Sequence, residues 1–253
     1  VLGLTATPNR SDKKSLNFEG PTYQITFDEL ERRNVIIKPE PDKIIIPDEI
    51  DADSLKSPRF DNSKRNNHIV SKVLEKRRLS LNKNNENYSK IVVYVNTVKH
   101  AKNLYETFVS RTSISELYDF VGFIEGGKNS AGCSNEDFLK DFKQNKSGII
   151  INVNVLSEGF DDPSINTILM AVPTNSLIRY IQCVGRAIRV PDEDNVCIPK
   201  IIECTEELPN IDYRITYGWL FADISDELEP ILINHTIKPV PRLFSWIYTK
   251  EIK

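Results

Sequence analysis

Three short stretches constrain this chain most: "IVVYV" at Ile91–Val95, "IIINV" at Ile149–Val153 and "ILMAV" at Ile168–Val172. Each is a nearly continuous apolar run, interrupted only by Asn152, not an alternation of apolar and polar residues. Such β-branched runs belong to strands buried on both faces, the situation of a parallel sheet. Further strand patterns fall at Ile44–Ile46, Val121–Ile124 and Ile198–Cys204. Helical stripes lie between them. Ile69, Val70, Val73 and Leu74 make one, and Val98, Ala101, Leu104, Tyr105 and Phe108 make another. Ser134 and Asp137 stand three apart, as in a capping box, ahead of Phe138, Leu139 and Phe142. Strands alternating with helices predict an α/β fold, a parallel sheet with helices on both faces.

The 253 residues suffice for one large domain or two small ones. No apolar run approaches the roughly 18 residues of a membrane span. The four cysteines form no CxxC pair and the three histidines are scattered, so no metal-ligand spacing is present. Reduced cysteines and a cytoplasmic setting are expected. The net charge of −3 excludes a polybasic nucleic-acid binder, but the charge is uneven. Ten Lys/Arg residues crowd Lys56–Lys90 against Asp61, Glu75 and Glu86, and acidic residues dominate Asp192–Glu229. The basic stretch reads either as solvated helix faces or as a surface along a phosphate backbone. Lys38–Asn67, with four prolines, reads as a linker holding one strand, and Asn82–Lys90 as a polar loop. In the tail, Tyr217, Trp219, Leu220, Phe221, Ile224 and Leu228 suit an amphipathic helix.

Chemistry concentrates in two stretches. On a helix, "YIQCVGRAIR" (Tyr180–Arg189) places Gln182, Arg186 and Arg189 at i, i+4 and i+7 on one face. Two guanidiniums aimed the same way suit a polyphosphate; an exposed helix with salt bridges is the plainer alternative. Gly185 inside a helix costs about 1 kcal/mol relative to Ala, which suggests close approach to the backbone there. The second stretch is "VLSEGFDDPSINTILMAVPTNS" (Val155–Ser176). It places Glu158, Gly159, Asp161 and Asp162 past the end of a strand, where open α/β sheets bind ligands. Asp161 can accept from a ribose hydroxyl or from an arginine; "DDPS" is also a plain turn signal.

Together "LTATP", "IVVYVNTVKHA", "NVLSEGFDDPSINTILMAVPTNS" and "YIQCVGRAIR" resemble, in order and spacing, motifs III to VI of superfamily-two DEAD/DEAH-like helicases. The resemblance is to the branch holding restriction-enzyme motors and excision-repair translocases, and it runs from Val1 to about Ile202. It implies a RecA-like C-terminal lobe at residues 68–205, preceded by a lobe-1 remnant at 1–38 and a linker at 39–67. A C-terminal extension follows at 206–253. "LGLTATP" then resembles the lobe-1 strand that couples nucleotide to nucleic acid, with Thr5 and Thr7 as coupling residues, and Val1 is expected to be a cut. Tyr23–Phe27 is expected as a further lobe-1 strand, with Thr26 and Glu29 capping "DELERR".

By the same resemblance the parent is an ATP-dependent helicase or translocase, while this chain alone is expected to be inactive. Arg186 and Arg189 act as arginine fingers on ATP and Gln182 positions the phosphates or water. Gly159, Asp161 and Glu158 line the nucleotide cleft. ATP and Mg²⁺ are held mainly by the other lobe, since the chain contains no GxxxxGK[ST] and no DExH. Asn96, Thr97, Thr174, Asn175 and Ser176 are expected to touch nucleic acid, DNA favoured over RNA, with complex subunits as further partners. Val153 and Asn154 depart from the usual Thr-Asp pair. A non-catalytic nucleic-acid-binding or regulatory module is the competing reading.

Overall fold

The computed structural model describes residues 27–47, 60–156, 160–190, 197–206 and 215–217. Thr5, Thr7, Glu158 and Gly159 lie outside these, as do Thr26 and the tail beyond Tyr217. Phe27, read from sequence as the end of a strand, instead opens helix α1 (Phe27–Arg32).

A seven-stranded sheet follows in the order β1–β7–β6–β2–β5–β3–β4. The strands are β1 (Glu40–Ile46), β2 (Lys90–Tyr94), β3 (Phe120–Glu125), β4 (Lys128–Asn129), β5 (Gly148–Val153), β6 (Thr167–Met170) and β7 (Lys200–Glu206). All neighbours are parallel except β3 and β4. The helices between them are α2 (Ser63–Leu81), α3 (Val98–Val109), α4 (Ile114–Leu117), α5 (Asn135–Gln144) and α6 (Leu177–Val184).

Side-chain alternation explains why the central runs are nearly continuous. Ile91 and Val93 of β2, with Val95 just past its end, face α2 and α3, in a cluster with Ile69, Val73, Leu104 and Phe108. Val92 and Tyr94 face the other side, where α5 and α6 supply Phe138, Phe142, Tyr180 and Val184. Both faces are thus covered, and the few polar residues on the central strands, Lys90, Asn152 and Thr167, lie at or near strand ends. The chain leaves β2 toward one face through α3 and leaves β5 toward the other through Leu156 and Phe160. The C-terminal ends of β2 and β5 flank a topological switch point, where open sheets of this kind bind ligands.

The helices begin where their caps stand. Asn62, Thr97, Ser134 and Ser176 each accept a backbone N–H of their own first turn. Ser134 also donates to Asp137 at 2.7 Å, a variant of the expected capping box. β1 extends the Ile44–Ile46 strand back to Glu40 and pairs with β7 over its whole length, so part of the segment read as linker is an edge of the sheet.

Candidate nucleotide and nucleic-acid sites

The two stretches read as nucleic-acid contacts come together at the C-terminal edge of the sheet. Asn96 and Thr97 leave β2, and Thr174, Asn175 and Ser176 leave β6, its neighbour. Thr97 Oγ1 accepts from His100 N at 3.1 Å, and Thr174 Oγ1 accepts from Ser176 N at 3.1 Å. Ser176 Oγ accepts from Arg179 N at 3.3 Å. Arg179 then donates across to the Val95 carbonyl at 3.4 Å, joining the two loops. Its role in bridging them was not anticipated; "LIRY" gives no sign that the guanidinium reaches back to β2. The three hydroxyls fix the loops and helix starts, while Asn96 and Asn175 stay exposed.

The arginines are held differently from the helical prediction. Helix α6 stops at Val184, and Gly185 is its C-cap with an ordinary helical φ of −56°. Arg186 and Ala187 form a turn, and the chain then runs as a strand-like bridge in which Ile37 donates to the Ile188 carbonyl at 2.7 Å. Gln182, Arg186 and Arg189 therefore do not share one helical face. Gly185 marks a helix end, not an interior gap. A Cβ there would lie 3.0 Å from the Ile181 carbonyl, which is reason enough for glycine.

Both guanidiniums nevertheless converge on one dipeptide. Arg186 donates to the Phe160 carbonyl at 2.5 Å, and Arg189 pairs with the Asp161 carboxylate. The Asp161 side chain is two-thirds exposed at 66% and that of Arg189 one-third at 35%, so their pair contributes little to stability. Two guanidiniums with so exposed a carboxylate as partner fit a phosphate group that displaces it. Gln182 lies half-buried on the preceding turn of α6.

What places Phe160 and Asp161 was invisible in the sequence. Asn152 Oδ1 accepts from Val155 N and Leu156 N, both at 2.9 Å, and turns the chain out of β5. Asn154 adopts φ +59°, which asparagine tolerates. Lys90 donates to Asp162 at 3.2 Å and to Ser164 at 2.7 Å, with side-chain exposures of 2% and 6% for the ion pair. Asn166 donates to the Glu86 carbonyl and to Ser89 Oγ. Of the ten basic residues of Lys56–Lys90, two lie outside the described residues, Lys64, Arg78 and Lys83 are exposed and Lys72 is half-exposed, as solvated faces would have them, and four are spent inside the protein. Arg65 donates to the Ala171 carbonyl, Lys76 pairs with Asp42 and Arg77 pairs with Glu86. Neither solvated faces nor a phosphate track describes these four cations.

The buried phenols and thiol beside Arg179 and Arg186 stay neutral. Burial raises the Tyr94 and Tyr180 phenols well above their usual range, with the nearby Glu203 carboxylate adding to the effect on Tyr180. Burial pushes the Cys183 thiol up to about 12 against the pull of Arg179. The positive field on Tyr94 and Cys183 comes from Arg179 and Arg186. Among the described residues, no three His, Cys, Asp or Glu side chains gather as metal ligands, and no helix is long and apolar enough to cross a membrane.

Residues 69–191, just under half of the chain, match the family model of the helicase conserved C-terminal domain. Two relatives are similar along most of the chain. One is IRC3 of Saccharomyces cerevisiae, named provisionally as an ATP-dependent helicase. It is 23% identical over 215 residues, 78% of this chain and 28% of its own length. The other is helicase 22 of Sulfolobus islandicus filamentous virus, also a provisional name. It is 26% identical over 206 residues, 75% of this chain and 35% of its own length. The chain therefore spans about a third or less of these relatives. Among solved structures, the ATP-dependent Type ISP restriction-modification enzyme LlaBIII bound to DNA superposes with a TM-score of 0.52 at 15% identity. The superposition covers 82% of this chain and 15% of that one, a likeness of fold.

Proposed function

We propose that this chain, whose residues 69–191 match the model of the helicase conserved C-terminal domain, is the C-terminal half of an ATP-dependent nucleic-acid helicase or translocase. The observation that carries the reading is the convergence of Arg186 and Arg189 on Phe160–Asp161. Two permanently charged planar donors meet beside a segment leaving the sheet. Their partners there, a carbonyl and an exposed carboxylate, are easily exchanged for phosphate oxygens.

In this reading ATP and Mg²⁺ sit mainly on a second lobe, and closure of the lobes brings Arg186 and Arg189 to the γ-phosphate. There they stabilise the charge that develops as the phosphoryl group transfers, an effect worth about 10³–10⁵ in rate in related enzymes. Asp161 releases Arg189 when the phosphate arrives and then faces the ribose, Glu158 and Gly159 being the further residues assigned to the nucleotide. Gln182 orients phosphate or water. Thr5 and Thr7 relay closure. Nucleic acid, DNA before RNA, runs over Asn96–Thr97 and Thr174–Ser176. Exposed amides, short hydroxyls and the first N–H groups of α3 and α6 hold its backbone without reading bases. Arg179 keeps the two contact loops in register as the lobes cycle. Subunits of a larger complex are further partners.

The test is ATP turnover by the full-length protein that carries this chain. Arg186→Ala is expected to lower kcat by about 10³-fold with nucleic-acid affinity unchanged. Equal turnover in wild type and variant would remove the arginine-finger role. Absence of turnover in the wild type, with nucleic-acid binding retained, would favour the non-catalytic module.

A further inference from the structure

We infer that Lys90 is a positioning residue for the arginine pair: by capturing Asp162 it leaves Asp161 as the carboxylate that meets Arg189. The arginine geometry is observed; its use on a nucleotide rests on the function proposed above.

Lys90 opens β2, and its side chain is 2% exposed. A buried ammonium is tolerated only when its donors are met. All three are: the Lys143 carbonyl at 2.9 Å, Asp162 Oδ2 at 3.2 Å and Ser164 Oγ at 2.7 Å. The ammonium also lies 5.0 Å from the centre of the Phe142 ring, and Phe142 packs against Phe160 at 6.4 Å. The other carboxylate oxygen of Asp162 accepts from Ser164 N at 3.1 Å and from its hydroxyl at 2.5 Å. One cation thus joins β2, the end of α5 and the segment from 160 to 164.

The consequence concerns a choice between neighbours. Asp161 and Asp162 are adjacent, and either could pair with a guanidinium. Asp162 is 6% exposed and held from both oxygens, whereas Asp161 is 66% exposed and free to exchange. A carboxylate that must yield to a phosphate has to be the exposed one. If Asp162 were released, it would compete for Arg189, and the Phe160 carbonyl that holds Arg186 would shift with it. Both charges of the Lys90–Asp162 pair are buried, so neither can leave without stranding the other. An apolar pin at position 90 could hold the loop but could not make this selection.

The experiment is arginine-selective nitrogen NMR on the 253-residue chain, the Nε–H signals of Arg186 and Arg189 being assigned by Arg→Lys substitution. In Lys90→Met both signals should shift or broaden, while the amides of β2 and β5 remain the slowest to exchange, as they do in a folded sheet. In Lys90→Met/Asp162→Asn, where Asp161 is again the sole carboxylate, the Arg189 signal should return to its wild-type position. Signals that coincide with wild type in Lys90→Met, or that stay displaced in the double variant, would overturn the selection. Lys90→Gln is measured beside them and read the same way, so that failure of Lys90→Met to fold does not stop the test. In the full-length protein, Lys90→Met is expected to lower kcat by about 10²-fold with little change in KM for ATP, and the double variant to recover most of it. Should Arg186→Ala leave turnover untouched, the nucleotide reading fails while the NMR result still decides the role of Lys90.

Discussion

At the scale of single residues, the guanidiniums and one histidine give the sharpest expectations. Arg189→Lys keeps the charge but loses the planar fork, so turnover of the full-length protein should fall nearly as far as in Arg189→Ala. A lysine variant with wild-type kcat would show that charge alone suffices. His100, 2% exposed, meets Asn66 Oδ1 at 3.1 Å. Burial lowers its pKa to about 4, with Arg65 adding to the fall and Asp61 opposing it. The unfolded chain takes up this proton near pH 6.5 and the native protein only near 4. Stability therefore falls as pH drops from 6.5 to 4, by about 3 kcal/mol at most, and is unaffected by this group above 6.5. Chemical denaturation across that window should show a shallower fall in His100→Gln; parallel curves would contradict it. Arg186, Arg189 and Asp161 drew attention by residue type, while the helical spacing used to group the arginines with Gln182 is not what the backbone adopts. Lys90 and Asp162 could not be paired, since 72 residues separate them and a lysine at a strand start reads as exposed.

At the scale of elements, strand positions were readable because burial on both faces leaves a nearly continuous apolar signature. The start of α5 was readable from Ser134 and Asp137; Asn62, read as linker, and Thr97 and Ser176, read as nucleic-acid contacts, turn out to cap helices in the same way. The end of α6 was not readable. Ile181, Val184 and Ile188 continue a helical spacing past Val184, yet the backbone of Ile188 is claimed by Ile37, a tertiary bond no local pattern reveals. β4 was missed because two residues carry no periodicity. Gly122 of β3 marks a close approach: a Cβ there would stand 2.6 Å from Cζ of Phe138 in α5. Gly122→Ala should cost about 1–3 kcal/mol, read as a lower melting temperature; an unchanged melting point would mean that α5 shifts freely on the sheet. Ser176→Ala removes the cap of α6 and should cost about 1 kcal/mol. In the full-length protein it should also weaken nucleic-acid binding, because the same hydroxyl shapes the Thr174–Ser176 loop. Unchanged affinity would separate the cap from the contact.

At the scale of the whole molecule, the function proposed above puts two kinds of site at different places on one sheet. The loops at its C-terminal edge, tied together by Arg179, suit a polymer backbone. The arginines lie past α6, against the segment that leaves β5, and suit a nucleotide presented by another lobe. The net charge of −3 fits contacts made through amides and hydroxyls, without a basic surface. A motor needs both sites to respond to each other, so the central claim is that polymer and nucleotide are coupled through this domain. The most direct test is steady-state ATP hydrolysis by the full-length protein, run without nucleic acid and with single-stranded DNA, duplex DNA or RNA, beside Arg189→Ala. The account predicts stimulation by DNA that is abolished in the variant. Turnover indifferent to every polymer, or stimulation that survives Arg189→Ala, would contradict it.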